Sequence, residues 1–84
     1  MEEESKATKA AIYEIILNQI HDYDPPETKV TYDRLLASGK SKKEVMDLIG
    51  TVLSVEIFEI LKNKKTFNKN RFIKNLSNLP KLPF

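Results

Sequence analysis

Apolar residues recur at helical spacing along most of this chain, and polar punctuation separates the runs. Ile12, Ile16 and Ile20 fall every fourth position, with Tyr13, Ile15 and Leu17 beside them and Glu14, Asn18 and His21 opposite. That pattern predicts an amphipathic first helix over residues 5–21, with Ser5 as its N-cap. Asp24-Pro25-Pro26-Glu27 then reads as a new start. Asp24 would cap it, Pro25 would take the first helical position, and Glu27 would complete an Asp version of the capping box. The prolines also forbid the first helix from running straight through. The second helix extends to about residue 38 on a stripe of Thr28, Tyr32, Leu35 and Leu36, and Gly39 supplies the left-handed residue that ends it.

Ser41-Lys42-Lys43-Glu44 is a second capping box, opening a third helix that reaches about residue 62. The gap before it is so short that the second and third helices must fold back as a hairpin. Val45, Leu48, Ile49, Val52, Leu53, Val55 and Ile60 cover more than half of the third helix, which predicts neighbours on several sides and a central place for it. The β-branched run 49–55 would also suit a strand, but the spacing of the apolar residues and the clean cap decide for helix. Asn68 reads as the N-cap of a short fourth helix ending near residue 79. Phe67 and Phe72 are spaced for a hydrophobic staple, and Phe72, Leu76 and Leu79 share a face with Ile73 beside it. Pro80 and Pro83 end regular structure.

The expectation is therefore a single all-α domain over residues 1–84: four compact helices, the third central, the second and third a hairpin. Residues 1–4 and 80–84 are expected as frayed tails, although the apolar Leu-Pro-Lys-Leu-Pro-Phe end would equally suit lying on the bundle. A chain of 84 residues buries only a modest core. No cysteine is present, so neither disulfides nor a Cys-based zinc site is possible, and a reducing cytoplasm is the expected setting. The acidic start Met-Glu-Glu-Glu-Ser is no signal peptide, and Asp47, Glu56 and Glu59 break the longest apolar stretch, so no membrane span is expected.

The net charge of +2 conceals an asymmetry. Residues 62–84 carry seven bases and no acid, whereas residues 1–61 carry seven bases and all twelve acids. The bland explanation is a Lys- and Asn-rich chain kept in solution, with cations suited to the end of the third helix. The functional one is an anion-binding patch of Lys62, Lys64, Lys65, Lys69, Arg71 and Lys74, with Phe67 and Phe72 as stacking groups for nucleic acid.

Glu56 lies on the helical wheel among Val45, Ile49, Val52 and Ile60, with Val52 and Ile60 one turn away on either side. A carboxylate there needs a partner from another helix or shifts its pKa upward. The candidates are Lys9, Arg34, Arg71 and the hydroxyls of Tyr13 and Tyr32. A buried polar site of Glu56, Tyr13 and Arg34 is the reading with most functional content. His21, the single histidine, suits the C-terminal dipole of the first helix. Ser38, Ser41 and Ser54 have no His–Asp arrangement. Gly39 and Gly50 form no phosphate loop, and Gly50 instead predicts the close approach of a neighbouring helix. No catalysis and no cofactor are expected.

The landmarks Asn18-Gln19-Ile20, Asp24-Pro25-Pro26-Glu27-Thr28, Thr31, Arg34-Leu35, Gly39, Leu48-Ile49-Gly50 and Val52-Leu53 resemble those of a widespread family of small, uncharacterised bacterial helical proteins. The resemblance implies the fold and no activity. Members of that family carry histidines on the first helix and near the start of the third, and an acid on the first, which implies a metal site between helices. The matching positions here are Tyr13, Leu17, Lys43 and Asp47, and only Asp47 is a usual ligand, so the resemblance implies a chain without that metal. The functional expectation is a non-catalytic interaction or regulatory module that binds a protein partner or a second copy of itself. Electrostatic nucleic-acid binding through residues 62–74 is the alternative, and a degenerate metal or small-molecule site near Glu56 is the third.

Overall fold

The computed structural model describes the backbone of residues 2–84 and the side chains of residues 8–84. Four helices follow in order: α1 (Glu2–Asp22), α2 (Pro26–Ala37), α3 (Lys42–Asn63) and α4 (Lys69–Asn78). There is no strand among the described residues. α3 touches all three other helices, as its wide stripe predicts, and so does α2. α1 and α4 flank this central hairpin without meeting each other among the described residues.

The hairpin turn follows its sequence closely. Gly39 has φ +101°, Gly39 N–H donates to Leu36 O at 3.0 Å, and Lys40 N–H donates to Leu35 O at 3.4 Å. That pair of bonds is a Schellman ending, and it satisfies carbonyls the helix would otherwise leave open. Both bonds of the second capping box are present: Glu44 N–H to Ser41 Oγ at 3.1 Å and Ser41 N–H to Glu44 Oε1 at 3.2 Å. α4 begins as expected, with Arg71 N–H donating to Asn68 Oδ1 at 3.0 Å. The Phe67 and Phe72 rings pack with centroids 5.3 Å apart.

Two helix starts differ from the expectation. α1 begins at Glu2, so the backbone of Ser5 lies inside the helix and does not cap it. The start of α2 is displaced by one residue: Pro25 is the N-cap and Pro26 takes the first helical position. No side chain caps this helix, and the Asp24–Glu27 box does not form. The reason is chemical. A capping-box glutamate bonds the N-cap backbone N–H, and proline has none. Asp24 N–H instead donates to Gln19 O at 3.1 Å. Glu27 Oε1 is buried without a hydrogen-bond partner among the described residues.

The core sits where α3 crosses its neighbours. Ile16, Leu35, Val45, Ile49, Val52, Phe72, Leu76 and Leu79 are buried. Gly50 provides the close approach its sequence position suggests, since a Cβ there would lie 3.3 Å from Ile12 Cγ2. After α4, Leu79 is buried and Lys81 N–H donates to Asn78 O at 2.9 Å. The tail then runs alongside α3. Pro80 and Leu82 share a groove with Glu44, Asp47, Leu48 and Thr51, and Phe84 lines a second one with Val55 and Phe58.

Candidate functional site

The three residues proposed as one polar site, Glu56, Tyr13 and Arg34, occupy three separate places. Glu56 is fully buried and faces the start of α4. Its Oε2 accepts from Arg71 Nε at 2.6 Å, and its Oε1 accepts from Arg71 Nη2 at 3.0 Å and from Asn68 N–H at 3.0 Å. This is a bidentate ion pair with an added backbone donor, the geometry that best offsets burial of a charge. The Arg71 guanidinium holds the Glu56 carboxyl below the usual range, and the Asn68 N–H adds to that against the opposing effect of burial. Arg71 thus serves the α3–α4 joint, while its side chain, 35% exposed, also lines the cleft at the start of α4 with Lys65 and Lys69.

Arg34, on α2, donates instead to two carbonyls at the end of α4: Leu79 O at 2.9 Å and Leu76 O at 3.2 Å. A cation there meets both the open carbonyls and the negative end of the helix dipole. α4 is therefore held at both ends by arginine, one end through Glu56 of α3 and the other from α2.

Tyr13 donates its hydroxyl to Asp47 Oδ1, across the α1–α3 contact. Lys43 Nζ lies 2.9 Å from Asp47 Oδ2 and Lys9 Nζ lies 3.5 Å from Oδ1. The Tyr13 hydrogen bond, then Lys43 and Lys9, lower the Asp47 carboxyl to about 2. Three of the positions named by the family resemblance, Tyr13, Lys43 and Asp47, meet here, while Leu17 does not join them and is 54% exposed. The donor set does not fit a divalent cation, because its one carboxylate is already neutralised by two ammonium groups. Among the described residues no group of three His, Cys, Asp or Glu side chains is placed to hold a metal. His21 is exposed at the end of α1, its Nδ1 3.0 Å from Asp22 Oδ1.

A different surface emerges on the C-terminal half of α3. Phe58 is 53% exposed and Leu61 is 76% exposed, on the side of the helix away from Glu56. Phe84, 87% exposed, stands nearby. Thr51, Ser54, Val55, Phe58, Glu59 and Phe84 line a groove of about 490 Å³. Its floor makes no demand for hydrogen bonds: Thr51 Oγ1 donates to Asp47 O at 2.9 Å and Ser54 Oγ to Gly50 O at 2.8 Å. Lys62 Nζ lies 5.2 Å from the Phe58 ring centroid, which carries positive charge to the edge of the groove. A second cleft, about 550 Å³ and polar, lies across residues 65–71 at the start of α4.

The sequence pattern did not single out Phe58 and Leu61. The available signal was their position opposite the main stripe, in the half of α3 that lies beyond Gly50. Nor did it single out Asn68 as a donor to Glu56, since that bond depends on how the loop folds back. Among the described residues no helix is long and apolar enough to cross a membrane. No family profile, no curated protein and no solved structure matches this chain.

Proposed function

We propose that this protein is a non-catalytic interaction module, and that its working surface is the groove on the C-terminal half of α3. The observation that carries this reading is the exposure of Phe58 beside Phe84, over a floor whose hydroxyls are internally bonded, with Leu61 exposed three residues further along α3. In a small domain, clustered large apolar side chains outside the core are what an apolar partner surface recognises. The absence of catalysis belongs to the same proposal. Glu56 has both oxygens engaged and Asp47 has three partners, so neither is poised to move a proton. A cytoplasmic setting, supported by the cysteine-free composition, and a place among the small bacterial helical proteins, supported by the landmark run alone, complete the proposal.

The occupant of the groove is an amphipathic helix of a protein partner. A titration of isotope-labelled protein with short amphipathic helical peptides tests this. Amide shifts confined to Thr51, Ser54, Val55 and Phe58 are expected, and a peptide with the same composition but a scrambled apolar face should leave them unmoved. Shifts scattered over the whole surface, or none, would overturn the reading.

Two other readings have less support. Nucleic-acid binding through residues 62–74 keeps its lysines but only one of its two stacking groups, because Phe72 is fully buried while Phe67, which packs on it, is 40% exposed. A ligand site at Glu56 has no accessible carboxylate to offer.

A further inference from the structure

The groove has one acid on its wall, Glu59, and opens toward a run of cations where α3 ends. Earlier in the chain three lysines are paired with acids, Lys9 and Lys43 with Asp47 and Lys29 with Asp33, while the exposed Lys42 is in no ion pair among the described residues. After Leu61 the pairing of lysines stops. Lys62, Lys64 and Lys65 are exposed and have no acidic partner among the described residues, and the sequence from 62 onward contains no acid at all. The one acid on the groove wall, Glu59, accepts a hydrogen bond from Asn63 Nδ2 at 2.9 Å and keeps its charge, against which stand the three lysines that follow. Lys62 lies over the Phe58 ring and so joins a cation to the apolar surface, and Lys64 and Lys65 follow it within three residues.

Resting on the groove reading above, we infer that the partner helix is acidic: its apolar side chains enter between Phe58 and Phe84, and its carboxylates meet Lys62, Lys64 and Lys65. Charge complementarity selects this occupant. A basic helix would place its cations against three unpaired ammonium groups, and like-charge juxtaposition at an interface rejects partners. The floor of Thr51, Ser54 and Val55 suits aliphatic side chains, since its hydroxyls need nothing from a ligand. A bare anion would engage the lysines but leave the groove empty.

The test uses fluorescent peptides that share one Leu/Ala apolar face: one with a Glu polar face, one with a Lys polar face, and one Glu-rich but with its apolar pattern scrambled. Binding is read by anisotropy at low and moderate salt. The acidic amphipathic peptide is expected to bind at least about tenfold more tightly than its lysine twin, with the difference shrinking as salt rises. Lys62→Glu/Lys64→Glu/Lys65→Glu should abolish that preference, and Phe58→Ser should weaken both peptides, with helicity of each variant checked by circular dichroism. Equal binding of the acidic and basic peptides would overturn the acidic inference and leave the groove reading standing. Failure of both would remove the groove reading itself. Tighter binding of a short DNA duplex, or equal binding of the scrambled acidic peptide, would overturn the inference by showing that the lysines act without the groove. A dimer that Phe58→Ser dissociates, and that the acidic peptide does not displace, would overturn it in favour of a second copy.

Discussion

The two halves of α3 have nearly the same apolar density in sequence and opposite fates in the structure. From Val45 to Leu53 the helix is enclosed: Val45, Ile49 and Val52 have no exposure, and α1 presses on Gly50 closely enough to touch an added methyl group. From Val55 to Asn63 the Glu56 ion pair to α4 is a tether and Ile57 packs on the core, while Phe58, Ile60 and Leu61 remain open. Periodicity shows which residues of a helix are apolar. It does not show how many neighbours reach each turn, because that depends on where the other helices end.

The sharpest way to break this contrast is to truncate one residue in each half. Ile49→Ala should cost about 3 kcal/mol, from lost burial and the cavity left behind. Leu61→Ala should change stability by no more than about 0.5 kcal/mol, as at an ordinary exposed site. Urea unfolding followed by circular dichroism measures both. A Leu61→Ala cost approaching that of Ile49→Ala would mean the distal half is covered in solution.

The tether itself comes next. Glu56 is fully buried, whereas the Arg71 side chain is 35% exposed, so the two halves of the pair are not equivalent. Arg71→Met strands a buried carboxylate and should cost about 3 kcal/mol. Glu56→Leu leaves a guanidinium that can turn to water and an unbonded Asn68 N–H, for about 1–2 kcal/mol. The double variant should fall near Glu56→Leu, not near the sum, because the stranded charge is gone. Equal costs for the two single changes would mean that Arg71 is as trapped as its partner. Acid should weaken the pair as well. A carboxyl held below its usual range gives stability that is present above that range and is lost as pH falls through the folded value.

Much of the fold was legible because its signals are local. Ser41, Glu44, Gly39 and Asn68 act within a few residues of themselves, and each does what its position suggests. The α2 start was misread where two local rules competed: Asp24 is a good cap, but a second proline moves the boundary and removes the N–H the box requires. The candidate site was legible only in part. That Glu56 needed a partner followed from the wheel. Which of five candidates supplied it did not, since the choice rests on the direction in which the 64–68 loop returns. Tyr13 and Arg34 were natural suggestions for Glu56, but they lie at other helix contacts.

A smaller effect sharpens the enclosed half from the α1 side. Asp47 is lowered to about 2 by Tyr13, Lys43 and Lys9, so its contribution is complete above about pH 4 and lost as pH falls toward 2. Its side chain is 38% exposed, and solvent screening reduces the contribution to roughly 1 kcal/mol. Tyr13→Phe should shift the Asp47 carboxyl resonance upward in a pH titration and flatten the acid limb of the stability profile. An unmoved Asp47 titration would show that the lysines alone hold it. Tyr13 is raised above its ordinary 10.0 by the same bond. The phenol's share is therefore present below that value and lost as alkali deprotonates it.

The smallest expected change lies at Gly50, where two terms nearly cancel. Replacing a mid-helix glycine by alanine favours the helix by about 1 kcal/mol. The added Cβ would stand 3.3 Å from Ile12 Cγ2 and 3.9 Å from Ile16 Cδ1, so α1 must yield by a few tenths of an ångström. Ile12 is half-buried and the contact is with one branch of its side chain, which leaves room to rotate. Gly50→Ala should therefore lie within about 0.5 kcal/mol of the parent, while Gly50→Val, with two more carbons against Ile12 and Ile16, should cost about 2 kcal/mol. The contrast locates the limit of enclosure along α3. If Gly50→Ala gained the full helix-propensity increment and Gly50→Val were tolerated, α1 would not be pressing on this turn, and the enclosed half of the helix would be shorter than the packing implies.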